Sequence, residues 1–235
     1  MISFRVTLGD MGKRQDTRDR IERQIIELGR RHLVTDGAAG LSLRAIARDL
    51  DMVSSAVYRY VASRDELLTL LLVDAYSELA DAVDEARATE AAWRDQIRAM
   101  AHAARRWAVG HPASWALLYG SPVPGYRAPA ERTVGPGTRV VGALFDVVAA
   151  GIAAGELTNT EVAVPQPLSS DFDGVREEFD FSGGDSAVAR CFLLWAGLIG
   201  AISLEVFGQY GADTLTDPAA AFDVQVSLLI EMLAK

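Results

Sequence analysis

Residues 42–64 read SLRAIARDLDMVSSAVYRYVASR, from Ser42 to Arg64. The spacing predicts two short helices joined by a tight turn. Ser42 is a candidate N-cap, and behind it Leu43, Ile46, Ala47 and Leu50 recur at helical spacing, giving the first segment one apolar face to bury. Asp51, Met52 and Val53 make the turn. Ser54 is a candidate cap for the second segment, where Val57 and Val61 face inward and Ser55, Tyr58, Arg59 and Tyr60 are left outside. An ordinary exposed helix face carries Glu, Lys and Asp. This one offers hydroxyls, phenols and a guanidinium, with no acid between Asp51 and Asp65. Such groups suit phosphate oxygens and base edges.

Working outward, residues 17–70 resemble the DNA-binding head of the tetracycline-repressor (TetR) family in both order and spacing. A long first helix precedes GLSLRAIARDL, a turn, SSAVYRYVASRDELL and the start of a fourth helix. The resemblance implies an all-α protein with an N-terminal three-helix helix-turn-helix head joined to a larger C-terminal helical ligand-binding and dimerisation domain. The divisions it implies are a flexible arm over 1–16, the head over 17–62 and the larger domain over 63–235. It also implies a sequence-specific transcriptional regulator whose partner is double-stranded DNA, a palindromic operator read by the second short helix in the major groove. Ser54, Ser55 and Arg59 would approach base edges, Arg44 would reach in from the preceding helix, and Tyr58, Tyr60, Ser42 and Arg64 would grip phosphates. Asp51 departs from the family, which usually has glycine there. That position tends to need a left-handed backbone, which Asp tolerates less well than Gly.

The formal charge of −9 speaks against a nucleic-acid binder until it is divided along the chain. Residues 1–60 hold eleven Lys or Arg against eight Asp or Glu, a net +3, and residues 61–235 hold twelve against twenty-four, a net −12. This asymmetry orients the positive end toward DNA and keeps the acidic remainder off the phosphates. Arg18, Arg20, Arg23, Arg30 and Arg31 of the first helix supply much of the positive charge, either near DNA or as a solvated face.

With 235 residues, half of them hydrophobic, the chain has material for a large core. The longest uncharged apolar run, Cys191 to Leu204, has fourteen residues, short of the ~18 of a membrane span, so a buried helix is expected and no membrane partner. The single cysteine lies inside that run, no signal-type N-terminus is evident, and a cytoplasmic location follows as the expectation.

Residues 1 to about 15 carry no sustained period and read as an arm, in which Lys13 and Arg14 are candidates for a minor-groove contact. From Thr17 the first helix spaces Ile21, Ile25, Leu28 and Leu33 along one face and ends near Asp36 and Gly37. Ser63 and Glu66 form a capping box that starts a fourth helix with the stripe Leu68, Leu71, Ala75, Leu79 and Val83. Later helices are expected over Trp93 to Gly110, from Pro112, from Gly135 and Pro136 to Gly155, from about Asp185 to Phe207 and from about Pro218 to Leu233. Between Glu156 and Gly184, Leu168, Phe172, Val175 and Phe179 fall at helical spacing and predict a short, lid-like amphipathic helix.

The last two of these main helices, the eighth and ninth, carry more apolar surface than one body can hide, and Ala196, Gly200 and Ala201 allow close approach. The family resemblance implies a homodimer through them, packed as a four-helix bundle. HPASWALLYG, with WAVG before it, resembles one subgroup of the family's C-terminal domains, which hold a small effector. Met100, Trp107, His111, Trp115, Tyr119, Phe145 and Trp195 are the candidate pocket walls, with His102 beside them, and core packing is the other reading of each. Few charges fall at inward positions, so an apolar or amphipathic effector that releases the protein from its operator is expected.

Two rival classes fit the residues less well. An enzyme lacks support in GxSxG, HExxH or CxxC, and His32, His102 and His111 have no metal-ligand spacing, so no catalytic residue, cofactor or metal is expected. SSDFDGVREEFD (169–180) resembles a calcium loop only loosely, with Ser at its first and Asp at its twelfth position. A helical interaction protein without DNA binding is the second rival, and the Tyr58, Arg59, Tyr60 face speaks against it.

Overall fold

The computed structural model describes residues 8–157 and 162–234, with side chains from Gln15 onward. Its helices in chain order are α1 (Leu8–Gly40), α2 (Leu43–Asp49), α3 (Ser54–Val57), α4 (Arg64–Ala88), α5 (Trp93–Gly110), α6 (Pro112–Tyr119), α7 (Ala130–Ala153), α8 (Leu168–Glu178), α9 (Asp185–Val206) and α10 (Pro218–Ala234). No strand occurs among the described residues, so the all-α expectation holds. The chain forms two compact units, Met1–Asp74 with Ser121–Thr133, and Ala75–Gly120 with Val134–Lys235.

In the first unit most of the expected stripe residues are buried: Ile25, Leu28 and Leu33 of α1, Leu43 and Ile46 of α2, Val57 and Val61, and Leu68 and Leu71 of α4, joined by Leu67, while Ile21 and Leu50 are half-buried. Gly29 lets α1 approach α4, since a Cβ there would lie 3.2 Å from the Leu71 side chain. The first helix starts at Leu8 and not at Thr17. Residues 8–16 (LGDMGKRQD) set only Leu8 and Met11 among polar residues and glycines, so they carry no hydrophobic period to read. Further on, polar residues four apart are joined, Gln15 to Asp19 at 2.7 Å and Arg18 to Glu22 at 2.7 Å. The arm expected over 1–16 is therefore helical from residue 8. Residues 1–7, and the side chains of Lys13 and Arg14, lie outside the described ones. The helical run breaks where a stop was expected, at Gly37 (φ 67°, ψ 172°).

In the second unit α9 and α10 pack on each other and on α5, with α6 and α8 against α9. Gly197 makes the α9–α10 approach close, because a Cβ there would fall 2.8 Å from Leu229. The half-buried pair Arg105–Glu205 ties α5 to α9, with an N–O distance of 2.7 Å from Nε. α7 begins at Ala130, earlier than the expected Gly135, and Pro136 lies inside it. As the seventh residue of the helix, Pro136 leaves one backbone carbonyl without its intrahelical donor, and the helix runs on to Ala153. α8 forms where its spacing predicted, and Phe172 on it is buried against Phe192 of α9, ring centres 5.7 Å apart.

By length and composition α7 and α9 are long and apolar enough to cross a membrane, with 39% and 33% of the relevant windows buried inside the protein. The fourteen-residue uncharged run lies within α9, which continues past its flanking Arg190 and Glu205 as expected.

Candidate functional site

The turn of residues 51–53 folds as its sequence asks. Asp51 adopts the left-handed backbone expected of it (φ 56°), and the Met52 N–H returns to the Ala47 carbonyl at 2.9 Å. Ser42 caps α2, its hydroxyl accepting from the Ala45 N–H at 3.4 Å. The cap of α3 is Val53 and not Ser54, which is already the first helical residue. Regular helix lasts only to Val57, after which single turns carry the chain on, with Tyr60 N–H bonding the Val57 carbonyl at 2.9 Å. Val57 and Val61 are fully buried and anchor the segment from beneath.

Above them, Arg44, Ser55, Tyr58 and Arg59 are exposed, and Ser54, Tyr60 and Ser42 half-buried. Among the described residues neither Arg44 nor Arg59 has an ion pair or side-chain hydrogen bond. The Arg18 guanidinium lies 5.9 Å from the centre of the Tyr60 ring. Arg64 is engaged within the fold. It donates to the carbonyls of Ala38 at 2.7 Å and Ala39 at 3.3 Å, covering the helix end just past the Gly37 break. Arg30 is likewise engaged, at 2.7 Å from Asp74, while Arg20, Arg23 and Arg31 are exposed.

Of the candidate pocket residues, the structure brings Met100, Trp115 and Trp195 together. They line a narrow, wholly apolar, partly open cavity with Leu79, Leu144 and Ile199. Its free volume, about 10 Å³, is near that of one water-sized sphere. The Trp115 indole donates to the Ser203 hydroxyl at 3.1 Å, fixing α6 on α9. Tyr119 stacks obliquely on Trp115 with centres 4.5 Å apart, and burial, then the neighbouring Tyr76, pushes its phenol well above the usual range. Phe145 is separate from this cavity and joins an aromatic cluster with Phe179, Phe181 and Phe192. Trp107 lines a second, open groove of about 830 Å³ between α4 and α5, with Glu85, Asp95, Arg98, His102 and Arg106. His111 is exposed, stacked on Trp107. Sequence reasoning missed the aliphatic walls of the cavity, which carry no chemical signature that separates them from core. The groove is larger, with open, charged walls that offer an apolar ligand little desolvation.

Residues 97–229 match the family described as Tetracyclin repressor-like, C-terminal domain. An HTH-type transcriptional regulator of Mycobacterium bovis is 66% identical over 227 residues, covering 96% of this chain and 97% of its own. The crystal structure of a regulatory protein, SCO4313, superposes with a TM-score of 0.76 at 32% identity, covering 92% of this chain and 98% of that one. A more distant fold match, at TM-score 0.62 and 11% identity over 91% of this chain and 97% of that one, is the transcriptional regulator FadR from Bacillus subtilis in complex with stearoyl-CoA. With its helix-turn-helix head, its helical C-terminal domain and relatives this close along nearly the whole chain, the protein belongs to the TetR family of transcriptional regulators.

Proposed function

We propose that this regulator acts as a homodimeric repressor that reads a palindromic operator and leaves it when a small apolar or amphipathic effector binds. Arg44, Ser54, Ser55 and Arg59 read base edges, and Ser42, Tyr58 and Tyr60 hold phosphates. Arg64 acts beneath them by holding the end of α1, with any phosphate contact secondary. The observation that carries the reading is the pair of exposed guanidinium groups, Arg44 and Arg59, without partners among the described residues, beside an exposed Tyr58. One recognition segment contacts too few base pairs for tight specificity, and a two-fold dimer doubles them.

Dimerisation uses α9 and α10. Leu193, Ala196, Gly200 and Leu204 follow one another three or four residues apart along α9, and Val224 and Leu228 do so on α10. Leu193 is 54% exposed and Leu228 61%, a poor use of leucine unless a second copy covers it.

The effector enters the cavity among Met100, Trp115 and Trp195. Because that cavity has a free volume of only about 10 Å³, a ligand of any size must displace its walls, α6 included. A long acyl chain, as in the stearoyl-CoA complex of FadR, is one ligand of the right polarity. The chain leaving α6 runs directly into residues 121–133, and α4 continues from Asp74 into Ala75, so both routes are covalent. Effector and DNA then weaken each other by the same factor.

Binding of a selected operator by fluorescence anisotropy tests the reading. Arg44→Ala or Arg59→Ala should cost about 1–3 kcal/mol and relax base preference, whereas Tyr58→Phe should weaken all sequences alike. Affinity unchanged in all three variants would contradict it.

A further inference from the structure

Val53 opens the recognition segment without serving the fold. It stands at the N-cap of α3, is 71% exposed and makes no side-chain cap bond. At the two other helix starts around it the chain places serine, and each hydroxyl accepts a backbone N–H: Ser42 from Ala45 at 3.4 Å, and Ser63 from Glu66 at 3.0 Å. Hydroxyl and carboxamide side chains are favoured at such positions, and valine is among the poorest. Isolated exposed valines are ordinary on a protein surface. A valine that forfeits a cap and holds its methyl groups in water, directly before Ser54 and Ser55, is not accounted for by stability.

Contact with DNA accounts for it. The base edges in the major groove present donors, acceptors and a single apolar group, the C5 methyl of thymine. Valine is β-branched with few accessible rotamers, so ordering it on binding loses little freedom. Arg44, Ser54, Ser55 and Arg59 supply polar readout on either side, and none of them can recognise a methyl. We infer that Val53 packs against a thymine methyl and so sets a preference for thymine at one position of each half-site. The inference rests on the head reading a major groove, as proposed above.

The test uses full-length protein and a duplex recovered by selection from random DNA, with thymines replaced in symmetric pairs by deoxyuracil, which lacks only the methyl. Expected is a loss of about fourfold per half-site at one symmetric position, the size of one buried methyl group. Val53→Ala should erase that thymine-to-uracil ratio while Val53→Thr, which keeps a methyl and restores a cap hydroxyl, retains most of it. The ratio is independent of any overall loss of affinity in the variant. Equal ratios for wild type and Val53→Ala at every position, or no position sensitive to the methyl, would overturn the inference and leave the groove reading intact. If the wild type enriches no sequence at all, the groove reading itself fails and the inference with it.

Discussion

The hydroxyls of Thr69 on α4 and Tyr126 lie 2.9 Å apart. Thr69 is 2% exposed and gives its own proton to the Asp65 carbonyl at 2.9 Å, so the Tyr126 phenol is the donor between them. Close by, Arg132 meets Glu66 at 2.7 Å. Two anchors thus hold the segment after α6 on the first half of α4, in the unit that contains the helix-turn-helix. Tyr126→Phe should lower stability by about 1 kcal/mol, the net worth of one such bond, and the melting temperature by roughly 2–4 °C. A thermal melt followed by circular dichroism checks it, and an unchanged transition would mean that the bond carries no weight.

Arg64 makes a second prediction, separate from direct DNA contact. Arg64→Ala leaves the carbonyls of Ala38 and Ala39 without their donor and should destabilise the head by about 1–2 kcal/mol. Operator affinity should fall by the same factor for specific and random DNA. Urea denaturation combined with anisotropy on both duplexes separates this from base readout.

The apolar cavity can be filled without disturbing a hydrogen bond. Ala104 lines it, and Ala104→Leu should occupy the remaining space at a cost of about 1–3 kcal/mol from overpacking. The variant should bind operator as wild type does and fail to release it when effector is added. Release at wild-type effector concentrations would place the effector elsewhere, the open groove beside Trp107 being the alternative.

Cys191 is fully buried in α9, and desolvation pushes its thiol up to about 12 from the usual 9.0. The folded state therefore keeps the proton that the unfolded chain releases. This contribution to stability is complete below pH 9 and is lost as pH rises from about 9 toward 12. At pH 8 a thiol-reactive disulfide reagent should label Cys191 only after denaturant is added. Rapid labelling of the native protein would contradict this burial.

Where hydrophobic period and cap chemistry act together, the sequence was readable. The buried faces of α2 and α4, the Ser42 and Ser63 caps and the amphipathic α8 follow from local residues, and the left-handed Asp51 from the family resemblance. Where no apolar period exists, it was not: α1 extends back to Leu8 through a stretch of mostly polar residues and glycines, and α7 runs through Pro136. The exposed set Arg44, Ser55, Tyr58 and Arg59 was legible because its residue types are odd for a solvated face. The walls of the cavity were not, since Leu79, Leu144 and Ile199 look like core in any sequence and only tertiary packing sets them around Trp115. The bonds of Arg64 were not legible for the same reason, as its partners are backbone carbonyls more than twenty residues away.

Selection of bound duplexes from a random DNA pool, at moderate salt and with the full-length protein, addresses the groove-reading dimer in one step. Enrichment of a palindrome whose half-sites lie about one helical turn apart, or a multiple of it, is the expected outcome. A pool that stays random, or a single unrepeated half-site bound by a monomer, would contradict the dimeric reading head.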